Sequence, residues 1–167
     1  KSLREDPQFY LALMEQSYIY EELGGKREAL HFAKEAVALN ENNLDFQKRL
    51  AFLYIDSGKF EESLVSLKNL VEAEPNRFYN WYAYVEVLML IGEYEDALTV
   101  LDFATKKHNR AELFYQMSNC HFQLKNEEEG RAALEKALTE DPTICEDMQS
   151  KYPFIKSEVK KIKAKKK

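Results

Sequence analysis

The sequence predicts an all-α fold, an α-solenoid of antiparallel helix pairs, and three observations carry that prediction. Glycines 24, 58 and 92 stand 34 residues apart and open similar phrases: Gly24-Gly25-Lys26-Arg27-Glu28-Ala29, Gly58-Lys59-Phe60-Glu61-Glu62-Ser63 and Gly92-Glu93-Tyr94-Glu95-Asp96-Ala97. Apolar residues recur at helical spacing on both sides of each glycine. The 167-residue chain holds only five glycines and four prolines, too few for the many turns of an all-β design. A fixed period of this length marks a repeat architecture.

Each repeat reads as helix, turn, helix. Before the second glycine run Phe46, Leu50, Phe52 and Leu53; after it come Phe60, Leu64, Leu67, Leu70 and Val71. Glycine suits the turn because it takes positive φ without steric cost. Pro75 and Pro142 close second helices, since proline cannot continue the hydrogen-bond ladder. The repeats are placed at residues 10–43, 44–77, 78–110 and 111–143, starting at Tyr10, Leu44, Phe78 and Ala111. The fourth departs most: Lys125 stands in the glycine's place, Gly130 in that of Ala97, and His121 where Tyr20 and Tyr54 stand. Lys26 and Glu127 replace the aromatic of Phe60 and Tyr94. The eighth position holds Ser17, Ala51, Val85 and Ser118, and the twentieth Ala29, Ser63, Ala97 and Gly130. Small side chains at both places let the two helices of a pair approach closely.

The ends follow from the same frame. Lys1-Ser2-Leu3-Arg4-Glu5-Asp6-Pro7 returns as Lys136-Ala137-Leu138-Thr139-Glu140-Asp141-Pro142 with five of seven residues identical. Residues 1–9 are therefore expected to be the last turn of an upstream repeat. Residues 144–167 leave the repeat pattern; Pro153 suits a helix start, and Ile155, Val159 and Ile162 form an apolar stripe. This segment is expected to supply one or two capping helices over the open face of the fourth repeat, followed by a Lys-rich tail.

These residues resemble the tetratricopeptide repeat. Trp81, Tyr84-Val85, Leu88, Gly92, Tyr94, Ala97, Leu101 and Ala104 look like its pattern, as do Leu50-Ala51, Tyr54, Gly58, Phe60, Leu67 and Pro75. The resemblance covers residues 10–143 and implies a right-handed solenoid. It also places the second, fifth, ninth and twelfth residues of each first helix on a concave side. Here those are Leu11, Met14, Tyr18 and Glu21; Asp45, Lys48, Phe52 and Ile55; Tyr79, Tyr82, Glu86 and Met89; Glu112, Tyr115, Asn119 and Phe122. Ten of these sixteen are aromatic, Leu, Ile or Met, unlike a solvated exterior. Tyrosine offers large contact area at small rotamer cost, and methionine adapts to irregular partners.

The expected role is a non-catalytic protein-interaction scaffold binding a peptide segment or helix of a partner in this groove. Its expected residues are Met14, Tyr18, Lys48, Arg49, Phe52, Ile55, Tyr79, Tyr82, Glu86, Met89, Tyr115, Asn119 and Phe122. Glu15, Glu22 and Asp56 against Arg49 give the rim an acidic lean, so the expected ligand is apolar or basic. The chaperone-tail subtype of the family clamps a carboxylate with Lys, Asn and Arg. Its places here hold Met14, Tyr18, Arg49, Tyr79 and Ala83, which cannot form a two-carboxylate clamp. An alternative is that the array is the recognition arm of a larger enzyme or regulatory protein with its catalytic domain upstream. Self-association through the first-repeat face is a further reading.

Composition narrows the field. Residues 156–167 carry seven Lys and one Glu, or +6, so the remaining 155 residues of a chain at −5 sit at −11. A body so acidic disfavours a phosphate backbone, which speaks against nucleic acid and against an RNA-reading helical-repeat protein. No apolar run approaches the ~18 residues of a membrane span, so no membrane partner is expected. Cys120 and Cys145 form no disulfide framework, and a reducing, cytoplasmic setting is expected. Neither they nor His31, His108 and His121 make a metal-ligand or nucleophile pattern; phosphate-binding glycine loops are missing too. No enzyme activity and no cofactor are expected. The Lys-rich tail reads as helix-terminal charge that favours solubility, with an acidic partner, nucleic acid or a targeting address as alternative readings.

Overall fold

The computed structural model describes residues 7–144 and 155–165. The expectations for residues 1–6, Cys145, Pro153 and the last two lysines lie outside these. Among the described residues there are nine α-helices and no strand: α1 (Pro7–Glu22), α2 (Lys26–Leu39), α3 (Leu44–Asp56), α4 (Phe60–Ala73), α5 (Phe78–Leu90), α6 (Tyr94–Lys107), α7 (Ala111–Gln123), α8 (Glu127–Glu140) and α9 (Ile155–Lys165). The chain divides into two compact units, one ending at Pro75 and one starting at Asn76.

The first unit holds α1–α4 and the second α5–α9. Within each of the four helix pairs α1–α2, α3–α4, α5–α6 and α7–α8, a three-residue turn forces an antiparallel arrangement. One turn design serves all four repeats. Gly24, Gly58, Gly92 and Lys125 have φ of 78°, 69°, 85° and 63°. In the second repeat, Gly58 N–H donates to Ile55 C=O at 3.0 Å and Lys59 N–H to Tyr54 C=O at 2.8 Å. This paired closure satisfies the last carbonyls of the first helix and requires a left-handed residue. The fourth repeat closes identically, with Lys125 N–H to Phe122 C=O and Asn126 N–H to His121 C=O. Lysine thus occupies a conformation that costs a side-chain-bearing residue about 1 kcal/mol. Nothing lies within 4 Å of a Cβ built on Gly24, Gly58 or Gly92, so these sites need glycine for φ and not for space. Lys125→Gly is expected to stabilise the second unit by about 1 kcal/mol and Gly58→Ala to destabilise the first by a similar amount. Chemical denaturation of the purified variants checks both signs.

The small positions behave as the spacing requires. Ser17, Ala29, Ser63, Val85, Ala97 and Ser118 are fully buried, and Ala51 is nearly so. Gly130 is held against Phe122, whose ring atoms would lie 3.0 Å from an added Cβ. The helix ends agree too: α4 stops at Ala73 and α8 at Glu140, two residues before Pro75 and Pro142. Pro7, by contrast, is the first residue of α1. It suits that place because the first turn leaves its N–H positions unbonded in any case.

The first unit is cored by Met14, Ala29, Leu30, Ala33, Phe46, Leu50 and Leu53, with Tyr10 edge-on to Phe46. In the second, Phe114, Tyr115, Leu134, Ala137 and Leu138 share one core with Ile144, Ile155, Val159 and Ile162. The predicted stripe of α9 is therefore buried in the core of the fourth repeat. One polar contact ties it to α8, Arg131 Nε donating to Glu158 Oε2 at 2.9 Å, while Lys161 Nζ, within α9 itself, donates to Glu158 Oε1 at 2.6 Å. Lys161 and then Arg131 hold the Glu158 carboxyl below its ordinary range. A carboxylate whose folded pKa is depressed contributes stability that is present above its unfolded pKa and lost as pH falls through the folded value. Wild type is therefore expected to exceed Glu158→Gln in thermal midpoint near neutrality, with the gap closing below about pH 4.

Candidate peptide-binding faces

Exposure of the first helices decides which expected groove residues can meet a ligand, and each unit is taken by itself. In the first unit the outward row is Leu11 and Tyr18 on α1 and Phe52 on α3, each about half exposed at 50%, 50% and 52%. Ile55 is half-buried beside them, and Glu15 and Glu22 lie exposed at the margin. In the second unit Tyr79 is exposed, while Tyr82, Glu86 and Phe122 are half-buried. Phe78, Tyr79 and Tyr82 form a ring cluster, with Phe78 centroids 5.2 Å and 5.8 Å from the other two. The Arg110 guanidinium lies 4.3 Å over Phe78 and pairs with Glu112 at 2.6 Å.

Five expected groove residues are buried instead: Met14, Arg49, Met89, Tyr115 and Asn119. The reason is packing against neighbouring helices: Met14 joins the core with Phe46 and Leu50. Tyr115 is sealed by the fourth repeat and α9, and Asn119 follows it one turn on. Lys48 is only partly exposed, tied to Glu74 at 3.0 Å and to Asp45 at 3.6 Å. Asp56, expected on the acidic rim, pairs with Lys26 at 2.8 Å.

Arg49 has a structural post that spacing alone did not show. Its Nη2 donates to Ser17 C=O at 3.1 Å, its Nη1 pairs with Glu21, and its guanidinium lies 4.0 Å over the Tyr18 ring. Gln116 holds the same sixth position in the fourth repeat and does the same work. Its Nε2 donates to Glu86 Oε1 at 2.9 Å and to Tyr82 C=O at 3.5 Å. Each residue thus fastens its first helix to the preceding one through a carbonyl and a carboxylate. Glu21 and Glu86 are accordingly partners in a staple. The signal was a long polar donor at position six of the second and fourth repeats only, where the first has Glu15 and the third Ala83, and donors at helical spacing are usually solvated.

Cys120 is fully buried, and burial pushes its thiol up to about 12, far from a reactive thiolate. No group of three His, Cys, Asp or Glu among the described residues could hold a metal ion. No described helix is long and apolar enough to cross a membrane.

Comparison with known proteins agrees with this geometry. A profile described as "Tetratricopeptide repeat" matches residues 27–80, and one described as "Anaphase-promoting complex, cyclosome, subunit 3" matches residues 66–137. The chain has the tetratricopeptide-repeat fold. Among solved structures, a MamA protein superposes with a TM-score of 0.71 at 20% identity, covering 84% of this chain and 78% of that one. YrrB, described as "a TPR protein with an unusual peptide-binding site", gives 0.70 at 20% identity over 82% of this chain and 71% of its own. At such identity the likeness shows the tetratricopeptide fold. No curated protein sequence matches the chain.

Proposed function

We propose that the chain is a non-catalytic interaction scaffold whose first-helix faces bind peptide segments of partner proteins. The observation that carries this reading is the exposed row of Leu11, Tyr18 and Phe52. Large apolar side chains at successive layers of one face leave water-exposed surface that a partner can cover. The Tyr79 and Tyr82 edge of the second unit offers similar chemistry. The margin of the first face is acidic through Glu15 and Glu22, which favours an apolar segment with basic flanks. YrrB's description as a peptide binder is consistent with this use of the fold.

Phe52 and Tyr18 belong to neither core cluster, and Tyr18 gives up only the Arg49 cation over its ring, so binding can be tested in variants that still fold. Phe52→Ala and Tyr18→Ala are each expected to lower affinity for a captured native partner by roughly tenfold, the effect of a lost aromatic anchor. Thermal midpoints should move little. Undiminished capture by the folded double variant would show that this face is not the binding surface.

A further inference from the structure

The opposite side of the first unit carries a second groove, built from the second helices. Along α2, the residues Arg27, Lys34 and Ala38 and their neighbours form one helical stripe running the length of the helix, about 20 Å at 1.5 Å per residue. Across from it stand the α3–α4 turn and a stripe of α4 that includes Val65; Leu50 and Tyr54 of α3 supply the floor. Two cavities of about 690 Å³ and 780 Å³ open along this line, and Lys34 borders both.

The groove is polarised. Lys26 and Arg27 at the α2 N-terminal end, and Lys34 two turns on, line the groove together with Lys59 of the turn, all exposed. Facing them are Asp56, engaged by Lys26 at 2.8 Å, and His31, which stands 3.6 Å from Glu35. The peptide dipoles of α2 add positive potential at the same end. Such a concentration of cations is unexpected on a body whose charge is otherwise strongly negative. Farther along, the lining is mixed: Val65, 66% exposed although it is a large β-branched side chain, offers an apolar patch among Glu41, Glu62, Ser66 and Asn69. Burial, with Glu62 nearby, holds the Tyr54 phenol above its ordinary range, so it remains protonated.

We infer that this groove between α2 and α4 is a second docking site, taking an extended acidic peptide segment. Its carboxylates meet Arg27, Lys34 and Lys59, and an apolar residue that follows them covers Val65 and Leu50. Charge complementarity selects this occupant. A basic segment is repelled by Arg27, Lys34 and Lys59, and a purely apolar one brings these three no counter-charge. About six extended residues span the groove at ~3.3 Å each. The site is separate from the α1 and α3 face and uses none of its residues.

The test uses the whole chain and a fluorescein-labelled synthetic peptide of several glutamates followed by Leu and Ile. Fluorescence anisotropy is expected to show saturable binding that weakens as salt rises. Arg27→Glu/Lys34→Glu is expected to weaken it by tenfold or more, and Val65→Asp to weaken it severalfold. Phe52→Ala/Tyr18→Ala should leave it unchanged, which separates this site from the other face. These substitutions sit on exposed positions, and unchanged circular dichroism melts confirm the fold. The inference is overturned if the peptide fails to bind at millimolar concentration, or if a lysine-for-glutamate version binds equally well. It is also overturned if the charge-reversed variant binds as wild type does.

Discussion

Tyr115→Ala is expected to destabilise the second unit by about 3–5 kcal/mol, the cost of emptying a fully buried aromatic site. The ring is completely buried and shares its core with Phe114, Leu134, Ile155, Val159 and Ile162. Removing it takes contacts from the fourth repeat and from α9 together, so the hole has rigid walls on several sides. The thermal midpoint should fall by 10 °C or so, given roughly 2–4 °C per kcal/mol at this chain length. Because the array is built of repeats, the loss should appear first in the second unit. Partial proteolysis is expected to release α9 early. A midpoint within about 2 °C of wild type would mean that Tyr115 is not the core residue the packing makes it.

Arg49→Ala is expected to be the most damaging polar substitution, at about 2 kcal/mol. Breaking a buried ion pair by removing one partner can cost about 3–5 kcal/mol, but Glu21 is one-third exposed and water recovers part of that. The Ser17 carbonyl also loses its guanidinium donor, and the Tyr18 ring loses the cation above it. Arg49→Lys should not rescue, because one ammonium cannot reach carbonyl, carboxylate and ring face together. A double-mutant cycle with Glu21→Gln is expected to give a coupling of about 1 kcal/mol or more. Equal loss from Arg49→Ala in wild-type and Glu21→Gln backgrounds would remove the staple from the account. Tyr18 links this result to binding: with Arg49 gone, its ring is freed to move and the α1 and α3 face loses its shape.

The turns illustrate how far local reading reaches. Gly24, Gly58 and Gly92 could be placed from their period and from the backbone conformation that a helix C-terminus favours. The same rule carried over to Lys125, where the residue type argues against the conformation but the register demands it. The stripe of Ile155, Val159 and Ile162 was equally legible, because apolar side chains at helical spacing must bury against something. The face of the first helices was legible only in part. Tyr18, Phe52 and Tyr79 lie outward as the spacing suggested, whereas Met14, Met89, Tyr115 and Asn119 do not.

Helix periodicity tells which residues share a face, and chain chemistry tells where helices begin and end; both are properties of a few neighbouring residues. The repeat frame, the helix pairs, the small packing positions and the tetratricopeptide likeness were therefore determined by the sequence alone. Which edge of a face meets the next helix depends on the angle and distance between layers, and those arise from many side chains packing at once. Only the tertiary structure could put Arg49 and Gln116 in matching staples, draw Tyr115 under α9, and bring the cations of α2 into one groove with the exposed Val65 of α4.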